Sequence, residues 1–407
     1  MKILFYNHTG QVSGAERLLL MILSRIDRDV FEPLVVCPEQ GPLQEMASDL
    51  GVEVESVTGL EARFTARVDY MVRYCKSFFA VIRQLRSRVI SAKPDLIHAN
   101  SIRAGLVATA ATIGLGTKVV WHLHDLLPRH PLSSLIRIFA ALSARTQMIA
   151  VSEAVARNFR GRSPRFLHTR VSVILNAIDL SKFHPDHLAK RRIRKELRYR
   201  QSDLVLGIVG QLTPRKGQLE LLRAFAEALN ETPDMVLLVV GAPLFNRDEE
   251  YREELKRTAS ELGIERRVRM LGSRNDIGAI MQALDVLVVN SSVEPFGLVV
   301  LEAMASGTPV LAAAVDGIPE IIESDKNGWL FPPQAEGALA QAIVNLSRRP
   351  ALRERLAAAG KQHVVAHFSL DRYLADLQLF YHSMTKLNLA TLRVESTDQP
   401  AEAAKFA

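Results

Sequence analysis

The six residues Leu204-Val205-Leu206-Gly207-Ile208-Val209 form an apolar run that stops at the turn Gly210-Gln211-Leu212-Thr213-Pro214-Arg215-Lys216-Gly217, after which helix-period sequence begins. A short run that is apolar at successive positions, not at alternate ones, reads as a strand covered on both faces, and such strands belong to parallel sheets flanked by helices. The same unit recurs at Met235–Val240, Val268–Leu271, Asp285–Val289 and Pro309–Leu311. An earlier series runs through Lys2–Tyr6, Glu32–Cys37, Asp95–His98, Lys118–His122 and Gln147–Val151, and Val173–Leu175 closes it. The alternation predicts an α/β protein made of two facing Rossmann-like, doubly wound parallel-sheet domains.

The boundary falls between Val173 and Gln201. Asn176–Pro185 is turn-rich, and Lys190–Arg200 crowds Lys190, Arg191, Arg192, Arg194, Lys195, Arg198 and Arg200 into one polar helical segment that few core contacts are expected to cross. Residues 1–180 form the expected first domain, joined by a C-terminal helix near 368–386. Residues 181–366 form the second, and 387–407, small and polar, read as a flexible tail.

The chain has 407 residues, 48% hydrophobic and 23% charged, which supplies large cores and excludes bulk disorder. No stretch approaches the length of a membrane-spanning helix, and Met1 leads straight into a strand-like run, so a cytoplasmic protein is expected. Cys37 and Cys75 are too few for a disulfide framework and lack zinc-site spacing; both are read as reduced, buried or incidental. The formal charge of +7 is uneven: residues 1–180 hold 22 Lys and Arg against 15 Asp and Glu, and residues 181–407 hold 29 of each. Part of the excess lies in Arg63–Lys93, where Arg67, Arg73, Lys76, Arg83, Arg86 and Arg88 interleave with Met71, Val72, Phe78, Phe79, Val81 and Ile82. That surface suits an anionic membrane or a phosphorylated substrate; an ordinary solvated helix face reads equally well. Without a recognition motif or aromatic interleaving, no nucleic acid is expected as a partner.

Ligands of open α/β sheets bind beyond the carboxyl ends of the strands, so the loops there carry the chemistry. Four stretches qualify. In Val293–Leu311, Glu294-Pro295 leads into a helix opened by Phe296-Gly297-Leu298, whose free amides suit a phosphate or a polar sugar edge. Glu302 lies in an apolar run without Lys or Arg; it is expected to be buried and bonded to hydroxyls or backbone donors, the alternative being a half-exposed helix glutamate. Arg215 and Lys216, adjacent on the turn after Leu204–Val209, suit a diphosphate. The first turn, Asn7-His8-Thr9-Gly10-Gln11-Val12-Ser13-Gly14-Ala15-Glu16-Arg17, brings Gly14 to a helix start but does not match G-x-G-x-x-G, which argues against a nicotinamide dehydrogenase. In Trp121-His122-Leu123-His124-Asp125, alternation places both histidines on one side as hydrogen-bonding groups in the cleft, with a structural role as the alternative; no further ligand at metal spacing lies nearby.

These four stretches together resemble the retaining glycosyltransferase family 4, the group 1 glycosyl transferases of the GT-B fold. Glu294 and Glu302 match its E-x7-E motif, and Ser152-Glu153, Asn176-Ala177-Ile178-Asp179 and Asp316-Gly317-Ile318-Pro319-Glu320 extend the likeness along the chain. The resemblance implies transfer of a sugar from a nucleotide-diphosphate donor, of UDP or GDP type, to a glycan, lipid-linked saccharide or small-molecule acceptor, with retention and without a bound metal or other cofactor. Residues 1–180 would be the acceptor side and 181–366 the nucleotide-sugar domain. Glu302 would hold the ribose hydroxyls and Glu294 the donor sugar. The amides of Phe296, Gly297 and Leu298 would contact sugar and phosphate, Lys216 and Arg215 would neutralise the departing diphosphate at Gly210, and Gly14 would let the phosphates approach the first domain. His124 would hydrogen-bond the sugar near its reacting carbon, and the loop Gly272-Ser273-Arg274 would lie beside the base. A role in polysaccharide biosynthesis at the inner membrane surface follows from the same resemblance.

The sequence departs from the family at Gln211, where an arginine is common, at Ala177 in place of a glycine, and at Ser13. No D-x-D element faces the cleft, since Asp27-Arg28-Asp29 follows a helix away from it. Two alternatives share the fold: a nucleotide-sugar epimerase or phosphorylase, and a non-catalytic nucleotide-sugar-binding protein, against which the presence of Glu294, Glu302, Lys216 and His124 together weighs.

Overall fold

The apolar runs are strands with almost no exposed surface: Ile3, Leu4 and Phe5 in the first series and Leu237 and Leu238 in the second are fully buried. The computed structural model describes residues 1–60, 68–161, 170–200, 202–243, 247–333, 335 and 337–385; the tail 387–407 and the start of the Arg63–Lys93 stretch lie outside them. The first lobe has a seven-stranded sheet of β1 (Lys2–Tyr6), β2 (Glu32–Pro38), β3 (Glu53–Val57), β4 (Leu96–Ala99), β5 (Lys118–Leu123), β6 (Thr146–Ala150) and β7 (Val171–Val173), ordered β3-β2-β1-β4-β5-β6-β7. The second has six strands, β8 (Leu204–Val209), β9 (Met235–Val240), β10 (Val268–Gly272), β11 (Val286–Val289), β12 (Val310–Ala313) and β13 (Trp329–Phe331), ordered β10-β9-β8-β11-β12-β13. The ladder pairings within both sheets are parallel. Strand order reverses between β1 and β4 and between β8 and β11, which opens a crevice at each reversal.

Two strands escape the sequence reading, and both are edges. Glu53-Val54-Glu55-Ser56-Val57 is only partly covered, and Trp329–Phe331 is three residues long, so neither needs a continuous apolar run. The strand at the end of the first series stops at Val173, not Leu175. Ala177 keeps a negative φ, so the missing glycine there costs no backbone strain.

The basic connector is not loosely attached, as its composition led one to expect. Asp186 caps helix His187–Glu196 by accepting from the amides of Leu188 and Ala189, and Ala189, Ile193 and Leu197 are buried. Arg194, 2% exposed, donates to the carbonyls of Ala283 and Asp203 and pairs with Asp285 at 2.5 Å, which Lys190 also meets at 3.2 Å. A buried guanidinium is tolerated because every direction of its fork finds an acceptor. At the other end of the chain, helix Leu370–Thr385 returns to the first lobe, where Tyr373, Leu377 and Tyr381 join the core built by Ile3, Phe5 and Val35. Cys37 is buried and Cys75 is exposed; both are free.

Close packing of helix Ile102–Ala111 on β5 depends on Gly105. A β-carbon there would lie 2.3 Å from the Trp121 ring, whose Nε1 is held by Thr109 Oγ1 at 2.9 Å. Replacing Gly105 with Ala gains up to about 1 kcal/mol of helix propensity, but overpacking against an indole that cannot rotate away costs roughly 1–3 kcal/mol. Gly105→Ala is therefore expected to lower the urea unfolding midpoint; a raised midpoint contradicts this packing.

Candidate active site

The turn after β8 closes as Pro214–Lys216 followed by Gly217 at φ +70°, where a β-carbon would lie 2.1 Å from the Asn290 carbonyl oxygen. Glycine thereby lets the turn settle onto the end of β11. That contact aims Lys216 at Glu294: Nζ lies 2.5 Å from Oε2, and Ser291 Oγ donates to the same oxygen at 2.8 Å. The Glu294 amide donates to Asp316 Oδ2 at 2.9 Å, and its carbonyl accepts from the Gly317 amide at 3.1 Å. Both side chains of the pair are largely withdrawn from water, 16% exposed for Lys216 and 11% for Glu294. Beside Lys216 a small cleft opens between the ends of β8 and β11, lined by Ile208, Asn290, Ser291 and Val299.

Helix Leu298–Ala305 starts at this pair. Gly297, at φ +106°, caps it, and the amides of Phe296, Gly297 and Leu298 donate to no described group. The Phe296 ring is core, packed toward Phe368 at a centroid distance of 6.1 Å. Gly14 of the first lobe stands opposite, with Leu298 Cδ1 3.7 Å from where a β-carbon would be. Glu302, one turn in, is half-buried, in place of the full burial its neighbours implied, and none of the described residues bonds its carboxylate. Desolvation raises its pKa, while Arg17 of the first lobe and Lys216 pull it back. Across the cleft, desolvation raises the pKa of Asp125, and the charges of Arg215 and Arg103 oppose the rise. The ends of β8, β9 and β10 meet through backbone bonds, Gly210 to Val240 at 2.9 Å and Gly241 to Gly272 at 2.8 Å. Arg274 is bound to Glu196 at 2.8 Å and Asp276 at 2.7 Å, which raises its pKa further.

The first lobe contributes a buried polar network. Asn100, just past β4, uses its amide nitrogen to donate to Asn7 Oδ1 at 3.1 Å and to the Ala15 carbonyl at 3.3 Å, so its oxygen faces His124 Nε2 at 3.0 Å. His124 must then carry its proton on Nε2, which leaves Nδ1 as the ring's acceptor. Asn7 is anchored in turn by Glu16, which also accepts from the amide and hydroxyl of Ser13 in a capping box. Behind His124 lies the His122 ring, 4.0 Å away between centroids; His122 Nδ1 meets His98 Nε2 at 3.1 Å, and His98 Nδ1 meets the Tyr381 hydroxyl at 2.7 Å. Burial lowers the pKa of His98 and His124 to about 3 and that of His122 well below its usual value, so all three are neutral.

The two lobes are clasped next to the site. Ser152 Oγ donates to the Pro295 carbonyl at 2.6 Å, and both carboxylate oxygens of Glu320 accept from the first amides of helix Glu153–Arg160, from Glu153 and Ala154 at 2.7 Å each. Thus Lys216, Glu294, the amides at 296–298, Glu302, Gly14 and Arg215 come together, while Gly210 and Gly272 line the adjoining strand ends and His124 sits on the facing lobe. Arg274 is held by its own carboxylate partners. Sequence reasoning quoted Asn7 and Asp316 within their stretches without giving them a role, and it missed Asn100 and Ser291. For the two asparagines the signal was available, since each is a polar residue directly after a buried strand. Among the described residues no three His, Cys, Asp or Glu side chains gather as metal ligands, and no helix is long and apolar enough to cross a membrane.

The neutral histidines fix a pH dependence. Their folded pKa values lie below the unfolded value near 6.5, so the unfolded chain binds more protons at acid pH and stability falls as pH drops from about 6.5 toward the folded value of about 3. The thermal midpoint is expected to hold from pH 8 to about 6.5 and to fall below it; a flat profile down to pH 4.5 contradicts a neutral cluster.

Comparison with known proteins agrees with this geometry. The family model of glycosyl transferases group 1 matches residues 189–363, and that of Glycosyltransferase Family 4 matches residues 12–182. A D-inositol 3-phosphate glycosyltransferase of Stackebrandtia nassauensis is 32% identical over 306 residues, 70% of this chain and 67% of its own. An Escherichia coli UDP-Gal:alpha-D-GlcNAc-diphosphoundecaprenol alpha-1,3-galactosyltransferase is 25% identical over 346 residues, 83% of this chain and 85% of its own. Against two corynebacterial D-inositol 3-phosphate glycosyltransferases the chain spans 58% and 51% of the relative's length. Anabaena HepE, solved in complex with UDP, superposes with a TM-score of 0.81 at 28% identity, covering 94% of this chain and 100% of that one. The chain belongs to the group 1 glycosyl transferases of glycosyltransferase family 4, with their two-domain GT-B fold.

Proposed function

We propose that the protein transfers a sugar from a UDP-type nucleotide sugar to an acceptor hydroxyl, with retention of anomeric configuration and without a metal ion. The observation that carries this reading is the Lys216–Glu294 pair at the open N-terminus of helix Leu298–Ala305, facing Gly14 across the cleft. Breaking the bond between a sugar and a diphosphate leaves negative charge on the departing oxygen and positive charge on the sugar. Lys216, Arg215 and the free amides at 296–298 place fixed positive charge where the first develops. Glu294, released from Lys216 when the diphosphate takes that cation, is free to accept from sugar hydroxyls. Glu302, half-buried and unbonded, suits the ribose hydroxyls, and the Nδ1 lone pair of neutral His124 suits a hydroxyl of the donor sugar. With retention, the acceptor oxygen enters on the face the diphosphate leaves, and its proton passes to a diphosphate oxygen.

UDP is favoured over GDP because HepE, 28% and 27% identical in two of its complexes, was solved with UDP and with UDP-glucose. A lipid-linked saccharide as acceptor, used in polysaccharide biosynthesis at the inner membrane surface, is supported by the diphosphoundecaprenol in the name of the E. coli relative and by the basic first lobe.

Two measurements test the reading. UDP-glucose or UDP-galactose at a hundredfold excess over Kd is expected to stabilise the fold by about 2.7 kcal/mol. Lys216→Ala and Glu294→Ala are each expected to reduce UDP release by roughly 100- to 1,000-fold while remaining folded, with a lowered ligand-free melting temperature because each leaves its partner's charge uncompensated, and EDTA is expected to leave turnover unchanged. Wild-type turnover in either variant, or loss with EDTA, overturns the assignment; an epimerised donor after incubation without acceptor identifies an epimerase instead.

A further inference from the structure

Behind the turn that carries Arg215 and Lys216, a tyrosine from another helix reaches in. Helix Gln218–Leu229 follows the turn directly, and helix Arg247–Glu261 packs on it. Gln218, 2% exposed, donates from Nε2 to the Gln211 carbonyl at 2.8 Å and so bridges the two ends of the turn. That carbonyl only accepts, which fixes the amide: Oε1 is the atom that faces the Tyr251 hydroxyl, at 3.3 Å. The hydroxyl in turn accepts from the Leu219 amide at 3.2 Å, a first-turn donor with no partner inside its own helix. Tyr251 is 5% exposed, and burial pushes its pKa up to about 12, so the hydroxyl keeps the proton it donates.

The row therefore has one direction. The Leu219 amide donates to Tyr251, Tyr251 to Gln218, and Gln218 to the Gln211 carbonyl. A phenyl ring would fill the same space between the two helices, so packing alone does not call for the hydroxyl, which is costly to bury unless bonded. The far side of the turn is tied to the end of β11: the Ser292 amide donates to the Arg215 carbonyl at 2.9 Å, and Asn290 Nδ2 to the Gly217 carbonyl at 2.9 Å. Arg215 and Lys216 thus stand between two anchors. Cutting the inner one leaves buried polar groups unmet, and the turn, exposed at Pro214 and Arg215, is the segment that can shift to recover them.

We propose that Tyr251 and Gln218 are positioning residues for a bound diphosphate: buried behind the turn, they hold it so that Lys216 and Arg215 present their charge in one place. A cation that has to be brought to its place at each binding event gives up part of its attraction as lost freedom, and the brace removes that loss. That Lys216 and Arg215 meet a diphosphate rests on the function proposed above; the brace itself stands on the bonds.

Calorimetric titration of the full chain with UDP and with uridine tests the proposal, because the ratio of the two affinities isolates what the diphosphate adds. The wild type is expected to bind UDP at least about a hundredfold more tightly than uridine. Tyr251→Phe, which removes one oxygen, and Gln218→Met are each expected to reduce that ratio roughly tenfold while binding uridine within about twofold of the wild type. Gln218→Met leaves the tyrosine in the core, so the test survives if one of the two variants fails to fold. Gly105→Ala, destabilised in the first lobe, controls for lost stability and is expected to keep the wild-type ratio. A brace variant that shows a melting transition and the wild-type ratio overturns the proposal, as does an equal fall of the ratio in Gly105→Ala. A wild type that binds uridine as tightly as UDP fails the functional reading before any variant is compared, and the brace loses its purpose with it.

Discussion

The two lobes are held in register by a carboxylate placed on a helix end. Both oxygens of Glu320 satisfy the leading amides of helix Glu153–Arg160, which would otherwise be unbonded at a half-buried junction, and Ser152 adds a bond to the carbonyl between Glu294 and Phe296. Hydrogen bonds to a charged group contribute about 1.5–3 kcal/mol each, more than a neutral contact of the same length. Because the clasp grips the loop on which Glu294 sits, the distance from the first-lobe wall to the Lys216–Glu294 pair is set by short side-chain bonds to backbone groups on either side of the cleft. The alignment of the crevice between β1 and β4 with the crevice between β8 and β11 follows from it.

Across that alignment the electrostatics are divided. The second lobe presents cations and helix amides, with Glu294 held against Lys216 as an internal counter-ion. The first lobe presents dipoles: Asn7, Asn100 and three uncharged imidazoles whose desolvation keeps them so. A charged His124 would set a further cation on the wall facing Lys216 and Arg215. Neutrality on one side and positive charge on the other gives the cleft one wall of dipoles and one wall of cations.

How much of this could be read beforehand follows from what each feature depends on. Strands covered on both faces announce themselves as unbroken apolar runs, so the two-sheet architecture was legible; β3 and β13, with one neighbour each, left no such run. The basic connector misled because composition counts charges without their acceptors, and Asp285, which holds Arg194 and Lys190, lies about 90 residues away. Glu294, Lys216 and His124 were legible singly from their places after strands. Their pairing was not, since Lys216 meets Glu294 over 78 residues and Tyr381 meets His98 over 283.

The chain's path also orders its own manufacture. Helix Leu370–Thr385 supplies Tyr373, Leu377 and Tyr381 to the core of the lobe that is synthesised first, and Tyr381 closes the hydrogen-bonded row of rings behind His124. On the ribosome the first lobe therefore emerges with a gap in its interior that stays open until Leu370–Thr385 has been made, whereas the second lobe has its own core complete before that helix appears. Of the two lobes the one made first is finished last, and the wall it turns to the cleft is assembled only once Leu370–Thr385 has emerged.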